Sequence, residues 1–342
     1  MVRAKRRGQA TIAPPRTRAR LQAWATSFNN RPCMDDAAPV LQLDRVGRRA
    51  GARVLVRELS LAVARGHTLG LLGVNGAGKT TTLRMACGVL APSHGRVLLD
   101  GQDLYEHPHL ARRRIGYLPE TPPLHPELTT REYLAFCARL HGVARGAVGA
   151  AVERAIERCA LGEVARRLLG ALSKGFRQRV GVAQAIVHEP ALIVLDEPAA
   201  GLDPVQALRL RELVRELGRA HALIVSTHVL PDVAACCDSV AILHRGVLRH
   251  CGAVAAAADA GFEAVFARAV EATLWQRLPM VAAATPLDAL RWRVHLKAGA
   301  DSAALVAALV AAGSAPAELQ RAAPSLETTF LAIAGSDVAE AA

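Results

Sequence analysis

Two stretches of this sequence combine residue types whose spacing suits chemistry on a phosphate. The first is GVNGAGKT, residues 73–80, which matches G-x-x-x-x-G-K-[ST]. Gly73, Gly76 and Gly78 let a backbone bend tightly round an anion, so that loop N–H groups face it. Lys79 would reach the β- and γ-phosphates of a nucleotide, and the Thr80 hydroxyl would ligate Mg²⁺. The expected nucleotide-binding set here is Gly73, Asn75, Gly76, Ala77, Gly78, Lys79, Thr80 and Thr81. The second stretch is LIVLDEPAAGLD, residues 192–203, an apolar run ending in two adjacent carboxylates. An ionised carboxylate in a dry site is costly unless it is paired or bound to metal. With Mg-ATP on the first loop, Asp196 would hold Mg²⁺ and Glu197 would polarise the attacking water as a general base. Taken alone, the pair reads equally well as a strand end with solvated acids.

Both stretches need strands that end at them. Thr68–Leu72 reads as a strand and 79–90 as a helix, the context a phosphate loop requires. Leu192–Leu195, between Pro190 and Pro198, suits a strand covered on both faces. Further strands are expected at 40–43, 59–63, 95–101, 222–226, 240–246 and 247–252, and helices at 174–187 and 205–217. Residues 121–172 read as a mostly helical insert, with Thr129 and Glu132 at capping-box spacing and a second helix over about 148–169. From about 259, Ala-rich helical stretches surround one alternating segment, RWRVHLK at 291–297.

The stretch LSKGFRQR, 172–179, puts Ser173 just before a helix, where it can cap the first turn and where an anion can bind. Together with the two stretches above, it resembles the signature loop of ABC ATPases. Residues 38–252 resemble that family through several ordered motifs: Gly201-Leu202-Asp203 its D-loop, Ser226-Thr227-His228 its switch loop, and IGYLPE at 115–120 its Q-loop.

The resemblance implies an α/β fold, a P-loop NTPase of ABC ATPase type with a β subdomain and a helical insert, plus a small C-terminal α+β domain. The domains implied are a basic extension at 1–36, an ATP-binding domain at 37–258 with its insert at about 121–172, and an accessory domain at 259–342. It also implies a dimer closing over two ATP molecules, each held between one subunit's loop and the other's Ser173 and Gly175. Asp203 would then sit at the interface, His228 would bond the γ-phosphate, and Glu120, standing where most relatives have Gln, would ligand Mg²⁺. LSKGF, IGYLPE and SLETTF (325–330) look most like ATP-binding subunits paired with type-2 exporter permeases, including the gliding-motility-type branch. ATP hydrolysis would thus drive export through a separate membrane permease, from a cytoplasmic position on the inner face of the membrane, as a homodimer or with a paired ATPase subunit. This sequence departs from the pattern elsewhere too. Lys174 and Phe176 replace the usual Gly and Gln, and no Phe, Tyr or Trp lies between Phe28 and Tyr105, where relatives often stack the base. Arg48 or Arg49 is left as a stacking candidate, with solvated charge as the plainer reading.

Composition bounds the rest. The 342 residues are 51% hydrophobic, yet no stretch approaches the apolar length of a membrane helix. The net charge of +12 is concentrated in residues 1–33, which carry eight Lys/Arg and no acid. Such a tail suits nucleic acid, anionic lipid or a transit peptide; the plainer reading is a disordered extension, with Met34 an alternative start. Seven scattered cysteines without a CxxC argue against a disulfide framework or zinc site and fit a reducing compartment. The adjacent Cys236 and Cys237 read as small, semi-buried residues. A rival reading, a soluble ABC-type ATPase acting on nucleic acid or ribosomes, is opposed by the single cassette and the absence of sustained heptads.

Overall fold

The computed structural model describes residues 38–254, 261–297 and 301–321, with Leu326, Thr329, Phe330 and Ile333. In chain order these form β1 (Pro39–Ala50), β2 (Arg53–Ala64), β3 (Thr68–Leu72), α1 (Lys79–Ala86), β4 (His94–Leu99), β5 (Gln102–Asp103), α2 (His109–Arg114) and β6 (Ile115–Leu118). Then come α3 (Thr130–Leu140), α4 (Val148–Arg158), α5 (Lys174–Ile186), β7 (Leu192–Asp196), α6 (Pro204–Gly218), β8 (Ala222–Thr227), α7 (Leu230–Cys236), β9 (Ser239–His244) and β10 (Val247–Ala253). The remainder is β11 (Phe262–Val265), α8 (Thr273–Gln276), β12 (Val281–Pro286), β13 (Arg291–Leu296), α9 (Ser302–Ala311) and β14 (Glu318–Arg321).

The central sheet has the order β10-β9-β3-β8-β7-β6. It is parallel except at β10, which pairs antiparallel to β9. Strand β7 shows why a nearly unbroken apolar run forms here: every residue is buried, and alternate side chains serve opposite layers. Leu192 and Val194 pack into a core shared with α1 and an antiparallel sheet of order β2-β1-β4-β5. Ile193 and Leu195 pack into a second core with α3, α4, α5 and α6. Each fully buried aliphatic side chain stabilises by roughly 1.5–3 kcal/mol, so this strand is firmly anchored and its end at Asp196 is well placed.

The insert forms as its sequence suggests at α3. The Thr129 side chain accepts from the Glu132 N–H, and Glu132 Oε2 accepts from the Thr129 N–H at 2.9 Å. The expected long helix over 148–169 is shorter: α4 stops at Arg158, and Ala160 takes φ 49°, outside the helical range. Beyond residue 260, β12-β13-β11-β14 form an antiparallel sheet packed through Trp292 and Val294 on Leu305 and Leu309 of α9. Leu326, Phe330 and Ile333, in and beyond the SLETTF run, pack instead with Leu72, Val233, Val240 and Ile242 of the central sheet and α7. Residues 1–36 lie outside the described residues. Among the described residues, no helix is long and apolar enough to cross a membrane.

One half-buried histidine makes stability depend on pH. The His188 ring stacks on His141 with centroids 3.8 Å apart, and its Nε2 lies 3.2 Å from the Ile115 carbonyl. Burial, then the neighbouring His141, pushes the His188 pKa down to about 3. An unfolded chain protonates this residue near pH 6.5. Between those values the unfolded state holds the extra proton, so stability falls as pH drops, by at most about 1.4 kcal/mol per pH unit for one proton. Urea midpoints measured from pH 7 to pH 4 are expected to fall less steeply in His188→Gln than in the parent. Parallel slopes would count against this assignment.

Candidate functional site

Strand β3 delivers the chain to Gly73, and the helix α1 starts at Lys79, so residues 73–80 must turn sharply between them. Gly78 takes φ 103°, and a methyl there would lie 2.9 Å from the Leu55 carbonyl oxygen; only glycine fits without strain. Lys79 is buried and its Nζ donates to the Gly73 carbonyl at 2.7 Å, bracing the loop across its width. The first N–H groups of a helix have no partner within the helix, which makes this turn an anion site. A cavity of about 460 Å³ opens over it, lined by Val74 to Thr81 together with Glu120, Glu197, Ala200 and His228.

The two carboxylates at the end of β7 point to different places. Asp196 is 1% exposed. Its Oδ1 accepts from the Ser226 hydroxyl at 2.8 Å, and its Oδ2 is buried with no protein partner. Glu197 adopts φ 47°, an uncommon left-handed conformation for a side chain of this size, and its N–H donates to the Ser226 carbonyl at 3.0 Å. That backbone turn separates the side chains: Glu197 reaches the cavity, 3.5 Å from Lys79 Nζ, and its other oxygen lies 2.9 Å from His228 Nδ1. Strand β8 and the residue after it thus serve both acids, Ser226 holding the fully buried one and His228 meeting the one that reaches the cavity.

An orphaned buried carboxylate oxygen is what a hard cation would satisfy. Mg²⁺ takes oxygen ligands, often one or two carboxylates plus phosphate oxygens rather than an all-protein cage. Asp196, with Thr80 and Glu120 on the cavity wall, fits that donor set. Among the described residues there is no cluster of three or more His, Cys, Asp or Glu able to hold a metal without such help.

Of the other expected site residues, Asn75, Gly76, Ala77 and Thr81 line the cavity, while Gly73 is buried beneath it. Ser173, Gly175 and Asp203 do not line it. Ser173 caps α5, its Oγ accepting from the Phe176 N–H at 3.4 Å, and Asp203 caps α6, its Oδ1 accepting from the Gln206 N–H at 2.9 Å. Gly175 is buried under Gln206: a methyl on it would lie 2.3 Å from that side chain's Oε1. The Ser173 and Asp203 loops are therefore one packed unit. Lys174 also belongs to it, its Nζ standing against Gly201.

The stacking candidates do not hold. Arg48 Nη1 donates to the Ala91 carbonyl at 2.9 Å, and neither Arg48 nor Arg49 lines the cavity. Arg53 and Leu55 do. They stand on β2 just past the β1–β2 turn, and the hairpin pairing that brings them to the loop links Ala50 to Arg53. No local signal in the sequence marks Arg53; only the return of β2 alongside β1 does.

The family described as ABC transporter matches residues 56–200. The chain is 39% identical over 202 residues to ABC transporter ATP-binding protein NatA of Bacillus subtilis (strain 168), which is 58% of this chain and 82% of that protein. The protein belongs to the ABC transporter ATP-binding family. It is also 35% identical over 200 residues to the bacitracin transport ATP-binding protein BcrA of Bacillus licheniformis, spanning 58% of this chain and 64% of BcrA. A solved ATP-binding subunit of an ABC transporter superposes with TM-score 0.59 at 30% identity, covering 64% of this chain and 91% of that one. As an ABC ATP-binding subunit the protein binds and hydrolyses ATP, and the mixed α/β P-loop fold is that of the family. These relatives are named for transport or for ABC transporters, which leaves the nucleic-acid reading without support.

Proposed function

We propose that this ABC ATPase powers export through a separate membrane permease, with two copies, or this chain and a paired subunit, closing face to face over two ATP molecules. The observation that carries the reading is the division of the site. The loop around Lys79, Glu197 and His228 share one cavity, whereas Ser173, Gly175 and Asp203 form a separate packed unit. Ser173 is exposed at the head of a 13-residue helix, a ready anion site that its own chain's cavity leaves unused. A second subunit presenting that helix end to the phosphates would complete the pocket.

In that arrangement Lys79 and the loop amides hold the triphosphate, Glu197 takes the proton of the attacking water, and His228 orients Glu197 and bonds the γ-phosphate. Thr80, Asp196 and Glu120 would hold Mg²⁺, which supplies neutralisation of phosphate charge. The ATP-binding domain is assigned to 37–258, with its insert at about 121–172, and 259–342 to an accessory domain. On α3 of the insert, Phe136 and Leu140 are exposed one helical turn apart, an apolar strip suited to a membrane partner on the cytoplasmic face.

The test is Ser173→Arg. Turnover of the isolated parent chain is expected to rise faster than linearly with protein concentration. The variant is expected to lose turnover while still binding ATP on its own loop. Linear dependence together with unchanged turnover in Ser173→Arg would sink the shared pocket. Purification of the tagged full chain from solubilised membranes is expected to bring down a multi-span membrane chain.

A further inference from the structure

The ATP site leaves unused one pair of nucleophilic side chains. Cys236 ends α7 and Cys237 follows it, the sequence's single pair of adjacent cysteines. Both line a cavity of about 290 Å³, whose wall also carries Arg215, Arg219 and Asp238. That volume is several times the roughly 30 Å³ share of one water. Cys236 Sγ lies 2.9 Å from the Asp232 carbonyl, and Cys237 Sγ would lie 3.1 Å from a methyl on Gly70. The two free thiols also share a hydrogen bond. The hydrogen bond from Cys237 holds the Cys236 thiol below its ordinary range, with Arg215 and Arg211 adding to the effect while burial and Asp232 oppose it. The same contact, with burial, pushes the Cys237 thiol up, so Cys236 is the sulfur that attacks first.

What such a pair can do is limited by its backbone. Adjacent Cα atoms across a trans peptide are about 3.8 Å apart. Disulfides usually need about 4.4–6.8 Å. A direct S–S bond is therefore disfavoured, and a single larger atom bridging the two sulfurs suits the spacing better. Among the described cysteines no other two are adjacent in sequence, and Cys87, Cys137 and Cys159 are buried.

We propose that Cys236 and Cys237 form a chelating site for a trivalent arsenical centre. An arsenoxide exchanges its oxygen for the two sulfurs: two S–H bonds break, two As–S bonds form, and the oxygen leaves as water with both protons. Arsenic stays trivalent and no electron moves. The site lies at the far end of the helix that begins two residues after His228. Across α7 the approach to β3 is close, since a methyl on Gly70 would lie 2.8 Å from Val233 Cγ1.

The experiment treats the native full chain with phenylarsine oxide at a one-to-one ratio and follows intact mass and free thiols. One adduct per chain with the loss of two thiols is expected, reversed by a dithiol and not by a monothiol. Proteolytic mapping should place it on the peptide containing 236–237. Cys236→Ser/Cys237→Ser should keep ATP turnover and lose the adduct. Labelling that maps elsewhere, consumes a single thiol, persists in the double variant or needs urea would overturn the assignment; mapping on the parent protein decides the matter even if the variant fails to fold.

Discussion

Glu197→Gln is expected to lower ATP turnover by about 10²–10⁴-fold, the usual contribution of a positioned general base, while leaving ATP affinity close to that of the parent. The substitution keeps the side chain's size and its hydrogen-bonding reach. It also leaves the backbone at φ 47° and the N–H bond to Ser226 undisturbed. What it removes is charge and basicity. The carboxylate now stands 3.5 Å from Lys79 Nζ and 2.9 Å from His228 Nδ1, between the two groups proposed to contact the phosphates. An amide can accept a hydrogen bond from water there but cannot take its proton. In the proposed cycle, where ATP binding closes a dimer and hydrolysis reopens it, the variant should accumulate as an ATP-bound dimer in gel filtration, whereas the parent should return to monomer. A monomeric variant with undiminished turnover would remove Glu197 from the reaction and the dimer from the cycle.

How much of this was legible beforehand differs by element, for physical reasons. The phosphate loop and β7 announce themselves because their constraints are local: glycines where the backbone must turn, and an apolar run buried on both faces. The separate roles of Asp196 and Glu197 could be read from the motifs, but the geometry that parts their side chains could not. It depends on a left-handed turn at Glu197 and on Ser226 and His228, some thirty residues away. Arg53 was hidden for the same reason, since it reaches the cavity only once β2 has paired with β1. The helices α2 and α7 are short and gave little periodicity. Beyond residue 260, only β13 shows clear alternation, with Trp292 and Val294 inward. Its neighbour β12, VAAATP, is half Ala and carries no such pattern, so three of the four strands there escaped notice.

Asp196→Asn separates a metal role from a structural one, and the expected separation is large. In the present structure Oδ1 is held by Ser226 and Oδ2 is buried without a partner. If that oxygen served only the fold, leaving it unpaired would be a standing cost, and replacing the carboxylate by a neutral amide would leave nucleotide binding alone whatever the metal. If it serves Mg²⁺, directly or through a coordinated water, loss of its charge weakens the metal-bound nucleotide complex specifically. Outer-shell groups at metal sites typically account for about 10–100-fold in affinity or activity. The expectation is therefore a drop of that order in ATP affinity with Mg²⁺ present, no change in chelator, and a melting temperature for the nucleotide-free variant no lower than the parent's, since a buried charge has been removed. Fluorescent-nucleotide titrations with and without Mg²⁺ measure the first two. Equal weakening in both conditions would mean that Asp196 shapes the loop rather than the metal, and the cation would then have to be assigned to Thr80 and Glu120 alone.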